Sequence, residues 1–454
     1  MSFASFGFLF AFLPMALAGF WLIGRLGPTS AIAWLLVCSV AFYPMEHWPV
    51  LAVSLAGNAL LGRWVRATEG IPAQAWVLAV GVGLNLMGMA VGRSLESVPP
   101  GISFVAFTQI GWLLDQRGIG TSERFNSELA RFTYPILVLL FPHFIAGPIL
   151  RLRDVEAQVS DPATWRPSGE NLAVGSFILL IGLLKKNLLA NPLGVLVTPG
   201  FADPGSLGLL PAWGTALAWS FQLYFDFSGY SDMAIGLARM FGLHFPANFA
   251  SPYKAQSVID YWQRWHMTLT NFLVSTVFNP LALATMRWRR SRALLLAPLV
   301  ATMVLAGLWH GVSWPYLVFG LLHAGFLGVN HAWRVLRPGP RPQDWRSVLG
   351  RVALTYLCVL VASVIFRAPS LEVAGTLFAG MAGLHAGGPH LHGALHALWL
   401  LGLGGIVWFA PNTQQIAEGA IWRPTLPWAL VAGSAATLGI LSLGGTHEFV
   451  YFQF

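Results

Sequence analysis

The stretch ALLLAPLVATMVLAGLWH, residues 293–310, carries no charged side chain before its final histidine. Its 18 residues approach the roughly 20 apolar residues that cross a bilayer core of about 30 Å as an α-helix. The whole chain has the same character, because 56% of its 454 residues are hydrophobic, 10% are charged and the mean hydropathy is +0.64. Soluble domains average about 45–50% apolar and about 25% charged residues. The sequence therefore predicts an all-α polytopic membrane protein and excludes a water-soluble fold.

Similar apolar runs recur along the chain, and runs such as residues 428–443 lack the alternation of a membrane β-strand. We predict helical spans near residues 4–24, 30–44, 48–65, 73–92, 131–150, 171–199, 208–243, 293–310, 315–333, 348–366, 394–410 and 427–443. Three interrupted segments, 101–114, 260–283 and 371–384, suit re-entrant or interfacial helices. Since no linker separates compact units, residues 1–454 are predicted to form a single membrane domain.

The basic residues lie between apolar runs rather than on one polar face, so the net charge of +8 does not indicate nucleic-acid binding. Arginine clusters are typical of cytoplasmic flanks of membrane helices. The two clusters, both predicted to be cytoplasmic, are Arg287, Arg289, Arg290 and Arg292, and Arg334, Arg337, Arg341 and Arg346. Residues 16–18 imitate a signal-peptide cleavage site, but no basic segment precedes them and the apolar run continues to Ile23, which favours a retained first span.

Polar groups in hydrocarbon are costly, so those that occur there need a structural or functional reason. In FQLYFDFSGYSD, residues 221–232, helical spacing places Asp226 with Tyr230 and Ser228 with Asp232. A helix bent or broken at Gly229 would turn these groups toward an internal cavity. The alternative is a hydrogen-bond network that only holds helices together.

A second polar cluster is DYWQRWHMTLT, residues 260–270. Asp260 precedes Arg264 by four residues, which favours an ion pair within a helix, and Trp262 and His266 have the same spacing. Tyr261, Trp262 and Trp265 supply rings that suit a membrane interface. For His266, structural hydrogen bonding and participation in chemistry both remain open.

The third cluster is LWHG, residues 308–311, at the end of the opening stretch. An imidazole buried there is predicted to stay neutral, as a general base must, and Gly311 leaves room for a substrate. The alternative is that His310 merely bridges helices. Lys185 and Lys186 form the fourth cluster, for which snorkelling to an interface and binding of an anionic ligand both remain open.

Histidines also occur in the Gly-rich stretch 384–396, which is most simply a flexible loop. A metal site there is the less favoured alternative, because neither cysteines nor carboxylates accompany them. These histidines are His385, His390, His392 and His396.

Several motifs together resemble one known family over about residues 101–323. The matching segments are PPGISFVAFTQIGWLLD (99–115), FPHFIAGPILR (141–151), GLLKKN (182–187), YFDFSGYSDMAIGLARMFG (224–242), RWHMTLT (264–270), LWHG (308–311) and WPYLVFGLLH (314–323). They are similar to the membrane-bound O-acyltransferase (MBOAT) family, in the branch of bacterial alginate O-acetylases and the D-alanyl transfer protein of teichoic acid synthesis. The C-terminal third is similar only in character and in its final VYFQF, and His143 departs from the pattern.

This resemblance implies a helical bundle around a transmembrane tunnel, with His310 and His266 as the catalytic histidines. Polar groups on separate helices are then expected to wall the tunnel and bind substrates. Those candidates are Trp265, Arg264, Trp309, Asp226, Ser228, Tyr230, Asp232, Lys185 and Lys186.

The implied reaction is acyl transfer from a thioester, most simply acetyl-CoA, to a hydroxyl group, with His310 as the base and His266 or Trp265 stabilising the oxyanion. No permanently bound cofactor or metal is expected. The implied partners are the bilayer, a cell-envelope polysaccharide and a periplasmic acetyltransferase, in a bacterial cytoplasmic membrane. The alternatives are D-alanyl or other acyl transfer from a carrier protein, a transporter, or a non-catalytic assembly subunit.

Overall fold

The computed structural model describes residues 2–95, 98–117, 128–288, 296–339, 342–386, 393–417 and 425–443. Within these ranges the chain forms helices and loops and contains no β-strand, which confirms the all-α prediction. Arg289, Arg290, Arg292, Arg341, His390, His392 and the terminal VYFQF lie outside the described residues.

The α-helices are numbered here in chain order. They are α1 (Leu13–Ile23), α2 (Pro28–Phe42), α3 (Trp48–Ala67), α4 (Ala73–Arg93), α5 (Ile102–Asp115), α6 (Thr133–Leu139), α7 (Phe141–Phe144), α8 (Leu152–Ser160), α9 (Gly169–Leu184), α10 (Gly194–Ala202), α11 (Leu209–Met240), α12 (Val258–Trp262), α13 (Met267–Leu273), α14 (Asn279–Trp288), α15 (Leu296–His310), α16 (Trp314–Leu336), α17 (Trp345–Arg367), α18 (Leu371–Met381), α19 (Ala394–Phe409), α20 (Thr413–Ala417) and α21 (Leu426–Leu441).

Five described helical stretches are long and apolar enough to cross a bilayer. They are Phe8–Leu26, Ala73–Arg93, Gly169–Ala202, Met267–Arg287 and Trp345–Arg367. A sixth candidate is the pair Pro28–Phe42 and Met45–Ala67, which is bent by 100°. These stretches confirm a multi-pass membrane protein.

The predicted span over residues 131–150 is wrong. The chain instead forms the short helices α6 and α7, interrupted at Leu140 with ψ 118°. Pro142 follows at the start of α7, where its ring suits a first helical turn but its missing N–H prevents it from continuing α6.

The break considered at Gly229 is absent, because α11 runs as one α-helix from Leu209 to Met240. Many of its side chains are fully buried, including Trp219, Phe225 and Phe227. Packing on many sides therefore supports the helix through a residue that is a poor helix former.

Residues 260–283 differ from the predicted re-entrant or interfacial helix, because part of that segment belongs to the candidate span Met267–Arg287. Its polar side chains bond within the helix, since the hydroxyls of Ser275 and Thr276 donate to the Phe272 carbonyl at 3.0 and 2.7 Å. Segments 101–114 and 371–384 form the short apolar helices α5 and α18, whose re-entrant or interfacial placement stays a prediction.

The described residues fall into two compact units. The first comprises residues within 2–183, 230–247 and 425–443, and the second comprises residues within 184–229 and 248–417. Phenylalanine rings fill the centre of the first unit, where Phe141 packs on Phe12, Phe42 and Phe241. The assignment of residues 1–454 to one domain stays a prediction.

Candidate active site

His310 is the last residue of α15, and glycines set the packing that positions it. A Cβ at Gly307 would lie 2.2 Å from the Tyr316 carbonyl oxygen, and one at Gly320 would lie 2.5 Å from the Met303 carbonyl oxygen. Only glycine therefore permits α15 and α16 to approach this closely.

The space beside Gly311 is occupied by protein. A Cβ at this position would lie 2.7 Å from the ring of Tyr316. The expectation that Gly311 leaves room for a substrate is therefore wrong, because the Tyr316 ring fills that room and packs with its centroid 6.0 Å from that of His310. Phe366 covers another side of the imidazole at 4.7 Å, edge to face.

His266 lies where the chain turns between two helices. Helix α12 ends at Trp262 and α13 begins at Met267, so Trp262 and His266 do not share one helix as their spacing predicted. His266 itself has φ 43° and ψ 53°, a left-handed conformation that is uncommon for a residue with a side chain. The expected Asp260–Arg264 ion pair does form, at 2.6 Å, with Arg264 in the turn.

Backbone hydrogen bonds tie this turn to residues 248–250. The Met267 N–H donates to the Asn248 carbonyl and the Ala250 N–H donates to the Arg264 carbonyl, both at 2.9 Å. The left-handed residue is thus held from both sides, and its ring is only 2% exposed.

The side chain of Asn248 determines the tautomer of His266. Its Oδ1 accepts from the Thr268 N–H at 3.3 Å and from the Thr268 hydroxyl at 2.9 Å, and it lies 3.0 Å from Nδ1 of His266. A backbone N–H can only donate, so the amide atom facing it is the oxygen, and an oxygen can only accept. Neutral His266 therefore carries its proton on Nδ1, and its Nε2 is a hydrogen-bond acceptor.

One cavity of about 40 Å³ joins the two histidines. Its lining residues come from six helices and two connecting segments, and are Leu223, Tyr253, Tyr261, Trp262, Trp265, His266, Leu269, Ala306, His310, Phe319, His323, Val359, Ser363 and Phe366. One buried water needs roughly 10–15 Å³ by such a measure, so this space fits the reacting end of a substrate rather than a whole donor molecule. The geometry supports the predicted meeting of His266 and His310.

Several lining residues, His323 among them, were not identified as candidates from the sequence. His323 lies 2% exposed on α16, and its Nδ1 accepts from the Trp262 indole N–H at 3.3 Å. The spacing of Tyr316, Phe319 and His323 at positions i, i+3 and i+7 is the signal that places them on the His310 side of one helix. No such signal marks the lining residues Tyr253 and Tyr261, or Asn248, which bonds to His266. These residues lie in short segments without a clear hydrophobic periodicity.

Most of the other predicted tunnel residues do not line this cavity. Trp265 does, whereas Arg264 and Trp309 are chain neighbours of lining residues. Tyr230 and Asp232 belong to the first unit. So does His143, which packs on Phe245 with ring centroids 5.5 Å apart.

Lys186 and Asp226 instead form a buried ion pair with a 2.5 Å separation of Nζ and Oδ1. Both side chains are at most 5% exposed, so Lys186 does not snorkel to an interface. The Nζ of Lys185 donates to the Thr413 hydroxyl at 2.8 Å. Ser228, which follows Asp226 by two positions on α11, is also buried. The cavity is not lined by any of the four predicted residues Lys185, Lys186, Asp226 and Ser228.

No group of three or more metal-ligating side chains gathers among the described residues, His385 and His396 included.

The fold defines a multi-pass membrane protein with an internal cavity lined by both histidines, and the comparisons identify its class. The family model of the membrane-bound O-acyltransferases, MBOAT, matches residues 131–367. A peptidoglycan O-acetyltransferase of Helicobacter pylori is 31% identical over 425 residues, covering 83% of this chain and 79% of the relative.

Two further relatives differ in the acyl group that their names give. A probable alginate O-acetylase of Pseudomonas putida is 34% identical over 411 residues, covering 84% of this chain and 80% of the relative. A teichoic acid D-alanyltransferase of Streptococcus thermophilus is 27% identical over 286 residues, covering 59% and 67%. The chain belongs to the membrane-bound O-acyltransferase family and is an acyltransferase, which confirms the resemblance and leaves the transporter alternative without support.

Proposed function

We propose that this enzyme transfers an acetyl group from acetyl-CoA to a hydroxyl of a cell-envelope polysaccharide, directly or through a periplasmic partner enzyme. The observation that carries the proposal is the meeting of His266 and His310 at one small cavity in a chain of this family. We place the enzyme in the bacterial cytoplasmic membrane, where cytosolic donor and envelope acceptor lie on opposite sides.

His310 serves as the general base in this proposal. It takes the proton of the acceptor hydroxyl as the oxygen attacks the thioester carbonyl carbon, giving a tetrahedral oxyanion. The carbon–sulfur bond then breaks, the ester remains on the acceptor, and the proton passes from the imidazolium to the departing thiolate. These steps account for every bond, charge and proton, and they need no cofactor or metal.

His266 has a different role from the one that the sequence suggested. Its Nε2 is an acceptor in the neutral tautomer that Asn248 enforces, so neutral His266 does not donate to the oxyanion. We assign it to accept a hydrogen bond from a neighbouring hydroxyl of the acceptor sugar, which orients the reacting hydroxyl so that its own proton faces His310. The oxyanion donor is then the indole N–H of Trp265, which also lines the cavity.

Acetyl-CoA fits the charge beside the cavity. Lys254 and Arg264 adjoin the lining residues Tyr253 and Trp265, and burial together with the charge of Arg264 lowers the pKa of Lys254. The Arg351 guanidinium donates to the neutral Gln256 side chain at 2.9 and 3.2 Å. Arg264 is already paired with Asp260, so Lys254 and Arg351 are the cations that suit the phosphates of a donor whose thioester end alone enters the cavity.

D-alanyl transfer from a carrier protein is the second candidate, favoured by the similarity to teichoic acid D-alanyltransferases. Both donors present a thioester on a phosphate-bearing arm, so the same histidines would serve either reaction.

The test is donor use by the purified protein in lipid vesicles. The vesicles receive acetyl-CoA labelled in the acetyl group, or a carrier protein charged with labelled D-alanine, each with an envelope polysaccharide extract. Release of free CoA and label in ester linkage support acetyl transfer, with the His310→Ala protein as the blank. Label transferred from the charged carrier alone would replace acetyl-CoA by the second donor, and transfer from neither would overturn the proposal.

A further inference from the structure

We propose that a groove formed by α3, α4 and α5 in the first unit binds one acyl chain of a membrane lipid. The groove encloses about 340 Å³, far more than the cavity at the histidines. It is a separate site from the reaction cavity and takes no part in the transfer chemistry. Pockets of this size, apolar with a few polar groups, commonly hold small ligands.

The rim of the groove faces the hydrocarbon of the bilayer. Val50, Val53 and Leu84 line it and are 53%, 75% and 48% exposed, and α4 is a candidate membrane span with little of its surface buried. None of the residues lining the groove is Asp, Glu, Lys or Arg. An opening of this kind admits a neutral hydrocarbon chain, whereas a charged head group would remain at the membrane surface.

Amide side chains form the floor of the groove and bond to one another. Asn58 Nδ2 donates to Gln109 Oε1 at 2.8 Å, and Asn85 Nδ2 donates to Asn58 Oδ1 at 2.8 Å. The Ser54 hydroxyl donates to the same Gln109 oxygen at 2.9 Å. These bonds link the three helices and satisfy the amides within the protein, so the floor holds the groove open without demanding a polar ligand.

Glycines on these helices fall into two groups. A Cβ at Gly62, Gly81 or Gly92 would come within 2.8 Å of a neighbouring side chain, so close packing explains them. Gly57 and Gly88 line the groove, and a Cβ at either would meet no atom within 4 Å. Glycine is a poor helix former, and at these two positions its small size leaves the groove empty of side chains.

The groove is longer than one lipid leaflet is deep. Fourteen positions separate the lining residues His47 and Leu61, which is about 21 Å along a helix. Half of a bilayer core is about 15 Å thick, so the groove is long enough to hold a single acyl chain through the depth of one leaflet.

The test uses a phosphatidylethanolamine that carries a photoreactive diazirine in the middle of one acyl chain. The full-length protein is reconstituted with this lipid, illuminated, and mapped by peptide mass spectrometry. The paired change Gly57→Leu and Gly88→Leu fills the groove with side chains that favour helix, and Gly83→Leu is the control. Gly83 lies on α4, has no atom within 4 Å of a Cβ, and does not line the groove.

We expect labelling of the wild-type protein to concentrate on the groove, to be lost from it in the paired variant, and to persist in Gly83→Leu. A matching rise in thermal unfolding temperature when the lipid is added should likewise vanish in the paired variant alone. Even labelling of all lipid-facing helices, or groove labelling that survives both leucines in a protein that still unfolds cooperatively, would overturn the proposal.

Discussion

His266 adopts a backbone conformation that glycine and asparagine tolerate better than other residues. The hydrogen bond to Asn248 also fixes the tautomer of its imidazole. Backbone and side chain therefore make separate demands at one position, and substitutions can separate them. Asparagine at this position would meet the backbone demand and keep a hydrogen-bonding group.

His266→Ala should lower activity strongly and also destabilise the protein, because it removes a buried ring and its hydrogen bond to Asn248 while the left-handed backbone cost of about 1–2 kcal/mol remains. His266→Gly removes the ring but suits the backbone, so it should be more stable than the alanine variant and equally inactive. His266→Asn should retain part of the activity. The measurements are initial rates and thermal unfolding in detergent, and a glycine variant as active as wild type would remove His266 from the chemistry.

Asn248→Leu should slow transfer by up to about 10²-fold, the lower end of the range for general acid–base catalysis, with little change in KM for the donor. Leucine has about the volume of asparagine but cannot accept hydrogen bonds from Nδ1–H of His266 or from the Thr268 N–H. Asn248→Asp keeps the accepting oxygen and should recover much of the rate. If leucine and aspartate variants were equally slow while both stayed folded, tautomer control by Asn248 would be refuted.

At the scale of elements, the ion pair between Lys186 and Asp226 joins the π-helical segment Lys185–Ala190 to α11. Removing one member of a buried ion pair strands the other charge, which costs about 3–5 kcal/mol. We therefore expect Lys186→Met to destabilise the protein strongly, and the double change with Asp226→Leu to restore much of the loss.

The control for this pair is Lys185→Met, which removes a hydrogen bond to the neutral Thr413 hydroxyl worth about 1 kcal/mol. Denaturant unfolding in detergent gives the three stabilities. A stable Lys186→Met protein with a raised KM for the donor would instead support the anionic-ligand interpretation of the lysine pair.

The sequence predicted long elements better than short ones. Helices α4, α16 and α17 begin and end within a few residues of the predicted spans, because a run of apolar residues suffices to define a membrane helix. The interruption at Leu140 and the turn at Gln263–Trp265 were missed, since both depend on backbone geometry that neither hydropathy nor four-residue spacing carries.

At the scale of the whole molecule, the family motifs indicated His266 and His310. The residues that form hydrogen bonds around them, such as Asn248 and His323, were found only in the structure. Asn248 and His323 are separated from their partners His266 and Trp262 by 18 and 61 positions. Contacts of this range follow from how helices pack, and no local pattern encodes them. The multi-pass architecture, by contrast, follows directly from the sequence, because the charged residues, 10% of the total, are clustered and leave long stretches without any charge.

In the proposed reaction His310 is the base for acyl transfer. The direct test measures the rate of transfer by His310→Ala and by wild type in vesicles supplied with labelled acetyl donor and acceptor. His331→Ala is the matched control, since His331 lies exposed on α16 and lines neither cavity. We predict a loss of roughly 10² to 10⁴ in rate for His310→Ala, with unchanged insertion and unfolding temperature, and wild-type rates for the control. A well-folded His310→Ala enzyme that transfers the acyl group at the wild-type rate would contradict the account.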